Sequence, residues 1–264
     1  MRQRLITGVL AGAIFFAITI AGGPLYTLLL VLLAIIGFSE YTRMNGVSPL
    51  QPSALLGYLG VLLFVLPWRA WEVEFPSALT IVWTLTFVLL ALTVVSKNKT
   101  TIDGVALLLL GAIYVGFGFS AMIAVRGIES DGLFWTALSF GCIWASDVGA
   151  YFAGRAFGRR KMWPSISPNK TVEGALGGVL LSLIVAVLFA VFSTDLIPLW
   201  KALLFGLVVA IAGQFGDLIQ SAYKRIRNLK DTGTLLPGHG GVLDRCDSWL
   251  IVFPLLMVTD LVPI

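Results

Sequence analysis

The sequence predicts an all-α, polytopic integral membrane protein with about nine transmembrane helices and a cytoplasmic N-terminus. Its composition is 58% hydrophobic and only 12% charged, with a mean hydropathy of +0.94, whereas soluble domains are about a quarter charged. So little polar surface cannot cover a water-exposed globule. The apolar runs approach the roughly 20 residues that a helix needs to cross a bilayer, and they lack the alternating pattern of barrel strands.

Nine apolar segments are candidate spans. They are 5–22, 24–42, 52–68, 77–96, 104–125, 133–154, 173–194, 198–223 and 248–263. The first segment could instead be a signal peptide, because "MRQR" precedes an apolar core that ends in small residues. We favour a span, since this core is longer than usual and a "GGP" turn leads directly into the next apolar segment.

The breaks between the spans carry turn residues and charges. "RMNGVSPLQ" follows the second segment, "KNKTTID" follows the fourth and "RGIESDG" follows the fifth. Gly, Pro and Asn interrupt regular helices, so these breaks read as short loops. The two longest polar breaks, 155–172 and 224–247, follow the sixth and eighth segments.

The orientation follows from the distribution of Lys and Arg, because short basic loops stay in the cytoplasm. With the N-terminus inside, only three of the eighteen cations lie on the outer side, namely Arg69, Arg126 and Lys201. The other fifteen lie on the cytoplasmic side. The formal net charge of +4 therefore reflects membrane orientation and a surface facing lipid headgroups, and it calls for no nucleic acid.

We predict one integrated membrane domain made of two parts. Residues 1–130 supply scaffold or dimer-forming helices, and residues 131–264 carry the catalytic motifs. The two cysteines, Cys142 and Cys246, offer neither a disulfide framework nor a paired metal motif.

Acidic residues inside the spans are the first functional candidates. An acid at a helix centre costs about 2.5–3.5 kcal/mol on insertion scales, so such a residue is a functional candidate unless it reaches the interface. Asp147, Asp217 and Glu173 meet this criterion. Each acid taken alone is also compatible with a simple ion pair.

Asp217 begins a polar stripe, because positions i, i+4, i+7 and i+8 of a helix share one face. The stripe continues through Ser221, Lys224 and Arg225, and Gln214 lies one turn before it. Asp244 and Asp247 are spaced i and i+3 at the start of the last span, which predicts that they emerge on one side. Oxygen ligands with a single histidine favour Mg²⁺ or another hard cation over a transition metal.

Two further stretches suit phosphate. "PGHGG", which includes Gly240 and Gly241, lets backbone N–H groups approach a ligand closely. "PNKTVEG" places Lys170 and Thr171 at the start of a helix, whose exposed N–H groups favour anions. Each signal alone is weak, since glycine in a turn is usually structural and "NKT" lacks the glycines of a P-loop.

Taken in order, residues 221–247, "SAYKRIRNLKDTGTLLPGHGGVLDRCD", resemble the signature of the phosphatidate cytidylyltransferase family, the integral membrane CDP-diacylglycerol synthases. The resemblance extends to "SDVGAYFAGRAFGRRK", "SPNKTVEGALGG" and "GQFGDLIQS", and so covers most of residues 144–250. It implies an enzyme that joins CTP and phosphatidate to give CDP-diacylglycerol and pyrophosphate, with Mg²⁺ required. It also implies a homodimer in the cell membrane, with the active site facing the cytoplasm.

Read through this resemblance, the polar residues take specific roles. We assign Asp217 and Asp244 as metal ligands, with Asp247 and Asp147 as further candidates. The number of divalent ions, one or two, and the participation of a monovalent cation stay open. The residues assigned to catalysis are Asp217, Asp244, Lys170, Lys224, Arg225, Arg245 and His239, and those assigned to substrate binding are Lys170, Thr171, Ser221, Lys224, Arg225, His239, Gly240, Gly241 and Arg245.

Some roles keep alternatives. His239 could orient a phosphate, act as an acid to the leaving pyrophosphate, or stabilise its turn, and Ser221 could contact metal or cap a helix. A transporter would place charges along a path to both faces, whereas here they cluster on one side. The closest alternative activity is a CTP-dependent membrane lipid kinase.

Overall fold

The structure, a computed structural model, describes residues 2–68, 77–233 and 240–263, with side chains described from residue 8 onward. These ranges contain ten helices and one two-stranded antiparallel sheet. In chain order the elements are α1 (Arg2–Ala21), α2 (Gly23–Met44), α3 (Pro52–Val65), α4 (Ala78–Val95), α5 (Ile102–Arg126), α6 (Gly132–Phe157), β1 (Lys161–Trp163), β2 (Ser167–Thr171), α7 (Val172–Phe192), α8 (Leu199–Ile226), α9 (Leu243–Cys246) and α10 (Trp249–Val258).

Each of the nine predicted spans overlaps a helix, namely α1 to α8 and α10, although α10 covers only part of 248–263. Within the described ranges, five of these helices are long and apolar enough to cross a membrane: α2, α4, α5, α7 and α8. Apolar stretches of α1, α3 and α10 are shorter, as Gly8–Ala21, Pro52–Val65 and Trp249–Val258 show. The chain is therefore a mainly helical protein with several membrane-length helices, and the count of nine spans stays a prediction.

The all-α prediction is wrong at residues 161–171, where β1 and β2 form a hairpin. Strands of three and five residues are too short to produce a recognisable two-residue periodicity in sequence. The spacing argument for Asp244 and Asp247 is also wrong, because α9 ends at Cys246 and α10 begins only at Trp249. The two acids therefore do not share one continuous helix.

The chain forms two compact units. The first comprises Met1–Ile123 and Leu229–Arg245, and the second comprises Ala124–Asn228 and Cys246–Ile264. In the first unit, glycines let aromatic side chains lie directly on helix backbones. A side chain at Gly57 would overlap the Phe38 ring, and one at Gly111 would overlap the Tyr41 ring, whose hydroxyl donates to the Leu107 carbonyl at 3.0 Å.

In the second unit, α6 and α7 pack at backbone distance. A Cβ atom at Gly149 would lie 2.5 Å from the carbonyl oxygen of Gly177, and one at Gly174 would lie 2.9 Å from that of Ala150. Small residues allow such close approach between membrane helices, where apolar burial alone gives no driving force. Helix α8 joins the pair through Ser182, whose buried hydroxyl donates to the Gly206 carbonyl at 2.9 Å.

We expect Gly149→Ala to lower the free energy of unfolding by roughly 1–3 kcal/mol, the usual cost of overpacking. The added methyl group would meet the backbone of Gly177 and Cβ of Leu181, which lies 2.9 Å away. Gly12→Ala in α1 is the matched control, since nothing lies within 4 Å of a Cβ atom there. Thermal unfolding in one detergent compares the two variants, and equal midpoints would contradict the packing described for α6 and α7.

Candidate active site

The β1–β2 hairpin sets the position of Lys170 in the second unit. Strand β2 continues directly into α7, and Thr171 caps that helix by accepting a hydrogen bond from the Gly174 amide at 3.1 Å. Because this cap fixes the end of β2, the preceding Lys170 is held close to α8. Its Nζ lies 2.6 Å from Oδ2 of Asp217 and donates to the Gln214 carbonyl at 3.4 Å.

The predicted stripe along α8 is present where the structure describes its contacts. Ser221 Oγ donates to Oδ1 of Asp217 at 3.3 Å, as expected for side chains four positions apart. One turn further, Arg225 Nε donates to the carbonyl of Ile166, in the turn of the hairpin, at 3.3 Å. The hairpin therefore contacts the stripe at two points, through Lys170 and through Ile166.

Gln214 links the three helices beneath this ion pair. Its Nε2 donates to Ser146 Oγ of α6 at 3.2 Å and to the Ala175 carbonyl of α7 at 3.1 Å. An amide donor satisfied on both neighbouring helices fixes their relative positions. The Lys170–Asp217 pair thus stands on a polar contact among α6, α7 and α8.

Two more acids, Asp147 and Asp247, lie near enough to Asp217 to interact with it electrostatically. We call these three residues the acidic cluster. A Cβ atom at Gly216 would lie 2.6 Å from the Asp247 carbonyl oxygen, so α8 approaches the backbone just before α10 very closely. Burial, followed by the carboxylate of Asp217, raises the pKa of Asp247 to about 7 from its ordinary 3.8. Asp147 interacts electrostatically with Asp217 and Lys170. Because the three carboxylates repel one another, a cation bound between them would be stabilised.

The donor set of the acidic cluster suits a hard cation. In the described part of the chain, no three His, Cys, Asp or Glu side chains are arranged to enclose a metal ion. Mg²⁺ commonly takes only one or two carboxylates from the protein and completes its coordination with water and substrate phosphates. By donor type, one or two carboxylates of the acidic cluster suit Mg²⁺, whereas all three together do not enclose an ion in the described residues.

Asp244 belongs to the first unit. Its Oδ2 accepts hydrogen bonds from the Thr232 amide at 2.7 Å, the Gly241 amide at 2.9 Å and the Thr232 hydroxyl at 3.0 Å. Gly240 next to this turn has a φ of +81°, a conformation that suits glycine. Within the described contacts, one oxygen of Asp244 and the Gly241 amide thus stabilise the turn, and their roles toward metal and phosphate stay predictions.

Lys224, Arg245 and Glu173 lie in three different helices. Lys224 lies near enough to Asp247 to interact with it, and Arg245 is exposed in α9. His239 lies outside the described residues. Glu173, predicted at membrane depth, is half-buried in the first turn of α7, where its carboxylate accepts hydrogen bonds from the amides of Arg159 and Arg160.

Sequence reasoning missed Glu40. This residue lies inside the predicted span 24–42 and is only 5% exposed, so the criterion that selected Asp147 and Asp217 would have selected it too. It was overlooked because no recognised motif surrounds it.

Comparison with known proteins agrees with these features. The profile of the cytidylyltransferase family matches residues 2–261. The phosphatidate cytidylyltransferase of Bacillus subtilis (strain 168) is 40% identical over 258 residues, which cover 97% of this chain and 96% of that protein.

Two similarly named proteins match to nearly the same extent. The phosphatidate cytidylyltransferases of Staphylococcus saprophyticus and Staphylococcus haemolyticus are each 39% identical over 258 residues, and each alignment covers 98% of both chains. Similarity of this kind over nearly the whole length extends well beyond the motifs of residues 144–250. The chain belongs to the cytidylyltransferase family.

Proposed function

We propose that this chain transfers the cytidylyl group of CTP to phosphatidate, giving CDP-diacylglycerol and pyrophosphate for phospholipid synthesis. The observation that carries the proposal is the Lys170–Asp217 pair, at 2.6 Å, within the acidic cluster on a membrane-length helix. The side chains of this pair are 27% and 41% exposed, so a water-soluble nucleotide has access to them. The names of the full-length relatives support the same substrates.

The reaction needs positioning and charge neutralisation more than proton transfer. A phosphate monoester has a second pKa of about 6, so the phosphate of phosphatidate is largely dianionic near neutral pH. One of its oxygen atoms forms a bond to the α-phosphorus of CTP, and the bond from that phosphorus to the β-phosphate oxygen breaks. Pyrophosphate leaves with the electron pair, so the attack requires no general base.

The basic and the acidic residues of the site would have different roles in the reaction. Lys170, Lys224 and Arg225 on or beside α8 would bind phosphate oxygens, and Arg245 would add a further cation. Asp217 and Asp244, with Asp247 and Asp147 as further candidates, would hold Mg²⁺. When bound, Mg²⁺ supplies charge neutralisation for the phosphates.

The predicted alternative, a CTP-dependent lipid kinase, gains no support from the relatives. Such a kinase must activate a lipid alcohol, which calls for a base near that alcohol. The experiment compares acceptors, using purified full-length protein in detergent with CTP and Mg²⁺. Phosphatidate should yield a lipid that carries one cytidine and two phosphates, whereas diacylglycerol should yield none. Conversion of diacylglycerol to phosphatidate, without reaction of phosphatidate, would overturn the proposal.

The location is also part of the proposal: a cell-membrane enzyme with nine spans, a cytoplasmic N-terminus and a cytoplasmic active site, working as a homodimer. Arg159 and Thr194 are exposed and flank α7, and the distribution of cations predicts that they lie on opposite sides. Single cysteines at these positions test this, because the native Cys142 and Cys246 are both buried and should react little.

An impermeant maleimide should label Arg159→Cys only in inverted vesicles and Thr194→Cys only in spheroplasts. The protein without added cysteines gives the background in both preparations. If both positions react from the same side, α7 does not cross the membrane as proposed.

A further inference from the structure

Glu40 is a buried carboxylate that none of the assigned roles uses. It lies in the last turns of α2 and is 5% exposed. Because burying a carboxylate is costly without hydrogen bonds, its partners indicate what the residue holds in place. All of its described donors come from the segment Leu229–Arg245, which belongs to the same unit although it is about 190–200 positions away in sequence.

Each oxygen of Glu40 has a defined partner. Oε1 accepts a hydrogen bond from the Val242 amide at 2.9 Å, and Oε2 accepts one from the Leu243 amide at 3.0 Å. The hydroxyl of Thr232 also lies 3.0 Å from Oε2. One side chain therefore joins α2 to both described arms of the segment, 229–233 and 240–245.

The segment lies so close to Glu40 that side chains are excluded. A Cβ atom at Gly233 would lie 2.5 Å from Oε1, and one at Gly241 would overlap both carboxylate oxygens. Position 240 is glycine because its φ of +81° suits glycine. Position 241 is glycine for a different reason, since there is no room for a side chain. The atoms nearest to a side chain there would be the Thr232 hydroxyl and both oxygens of the Glu40 carboxylate, which explains why this position of the "GHGG" sequence is glycine.

The same contacts reach Asp244. The Thr232 hydroxyl lies 3.0 Å from Oδ2 of Asp244 as well as from Oε2 of Glu40, and its single hydrogen is donated to one of them at a time. The Gly241 amide, next to Val242, donates to the same Oδ2 of Asp244 at 2.9 Å. Glu40 and Asp244 thus both accept hydrogen bonds from the same short backbone stretch, residues 241–243.

We propose that Glu40 is a positioning residue for the reaction: its carboxylate fixes the 232 and 241–243 backbone and thereby sets the position of Asp244. This inference rests on the proposed function, in which Asp244 is a ligand of Mg²⁺. Partners that orient a metal-binding side chain typically alter metal affinity or activity about 10- to 100-fold when replaced.

Glu40→Gln tests the inference, because the amide keeps the volume but presents an NH₂ group to donors. We expect kcat to fall about tenfold or more and the Mg²⁺ concentration for half-maximal activity to rise by a similar factor. The KM for CTP should change much less, since the proposed CTP contacts, Lys170, Lys224 and Arg225, are not altered. Rates are divided by the amount of folded protein. If Glu40 only stabilised the fold, the Mg²⁺ dependence of the folded fraction would therefore stay unchanged. Glu129→Gln, at an exposed acid, is the control and should match wild type.

Hydrogen exchange of the full-length protein in Mg²⁺-free buffer supplies a second readout. The amides of residues 241–243 should exchange faster in Glu40→Gln than in wild type, while those of α7 should not change. Thr232→Val, which removes only the shared hydroxyl, should give a smaller shift of the same kind. In the double variant, the two effects on kcat should be less than additive, as expected for residues in one network. If Glu40→Gln does not fold, Thr232→Val alone carries both readouts.

Unchanged exchange at residues 241–243, or unchanged Mg²⁺ dependence in a folded variant, would overturn the role of Glu40. Failure of the proposed function has a different signature. In that case the wild-type protein forms no CDP-diacylglycerol, whereas the exchange experiment still reports on the Glu40 contacts. Asp244→Asn provides the reference for the loss expected when the positioned residue itself is removed.

Discussion

Asp217→Asn is expected to lower kcat by at least about a hundredfold, the usual effect of removing one group that stabilises transition-state charge. Asn keeps the shape of the side chain but removes the negative charge that faces Lys170 and would hold Mg²⁺. The folded protein should be extracted and should unfold almost as wild type does. Its ion pair is partly exposed, and such pairs contribute only about 0–1 kcal/mol to stability.

Asp195→Asn is the matched control, because Asp195 is an exposed acid in the loop between α7 and α8. It undergoes the same chemical change away from the acidic cluster and should retain wild-type turnover. Steady-state rates at saturating CTP, phosphatidate and Mg²⁺ make the comparison. Near-normal turnover of Asp217→Asn under these conditions would remove Asp217 from the site.

Lys170→Met is expected to reduce kcat/KM for CTP by roughly 30- to 100-fold. A hydrogen bond to a charged group contributes about 1.5–3 kcal/mol, and the Lys170 ammonium is the cation closest to Asp217 among the described contacts. We infer that the Lys170 ammonium exchanges its ion-pair partner when CTP binds, leaving Asp217 and contacting a phosphate. Much of the loss should therefore be recovered by Lys170→Arg, which keeps the charge.

Lys161→Met provides the control for Lys170, since Lys161 is exposed on strand β1 of the same hairpin. It removes an identical charge at the same membrane side without touching Asp217. Initial rates over a range of CTP concentrations separate the two variants. An equal, small loss in both would mean that the hairpin contributes only general positive charge.

Much of the architecture could be predicted because hydropathy is a local property. Every predicted span holds a helix, and the spacing of Asp217 and Ser221 on α8 correctly predicts that they meet. The contact between Lys170 and Asp217 could not be derived in this way. It joins residues 47 positions apart through a hairpin whose strands are too short to leave a periodic pattern.

Glu40 shows a different limit. Its partners lie about 190–200 positions away, and they are mostly backbone amides, which have no sequence signature. The glycines at 233 and 241 are visible in sequence, but only the structure shows that one carboxylate occupies the space beside both. Similarly, burial and the carboxylate of Asp217 raise the pKa of Asp247, and only the structure shows that the Asp247 backbone lies against Gly216 of α8.

The position of the transferred phosphorus tests the central claim most directly. Purified full-length protein in detergent receives Mg²⁺, phosphatidate and CTP labelled at either the α- or the γ-phosphate. Because attack at the α-phosphorus transfers CMP, α-label should appear in the lipid phase and γ-label should be released as pyrophosphate, with both signals lost in Asp217→Asn. Appearance of γ-label in lipid, with none from the α position, would contradict the account and identify a kinase instead.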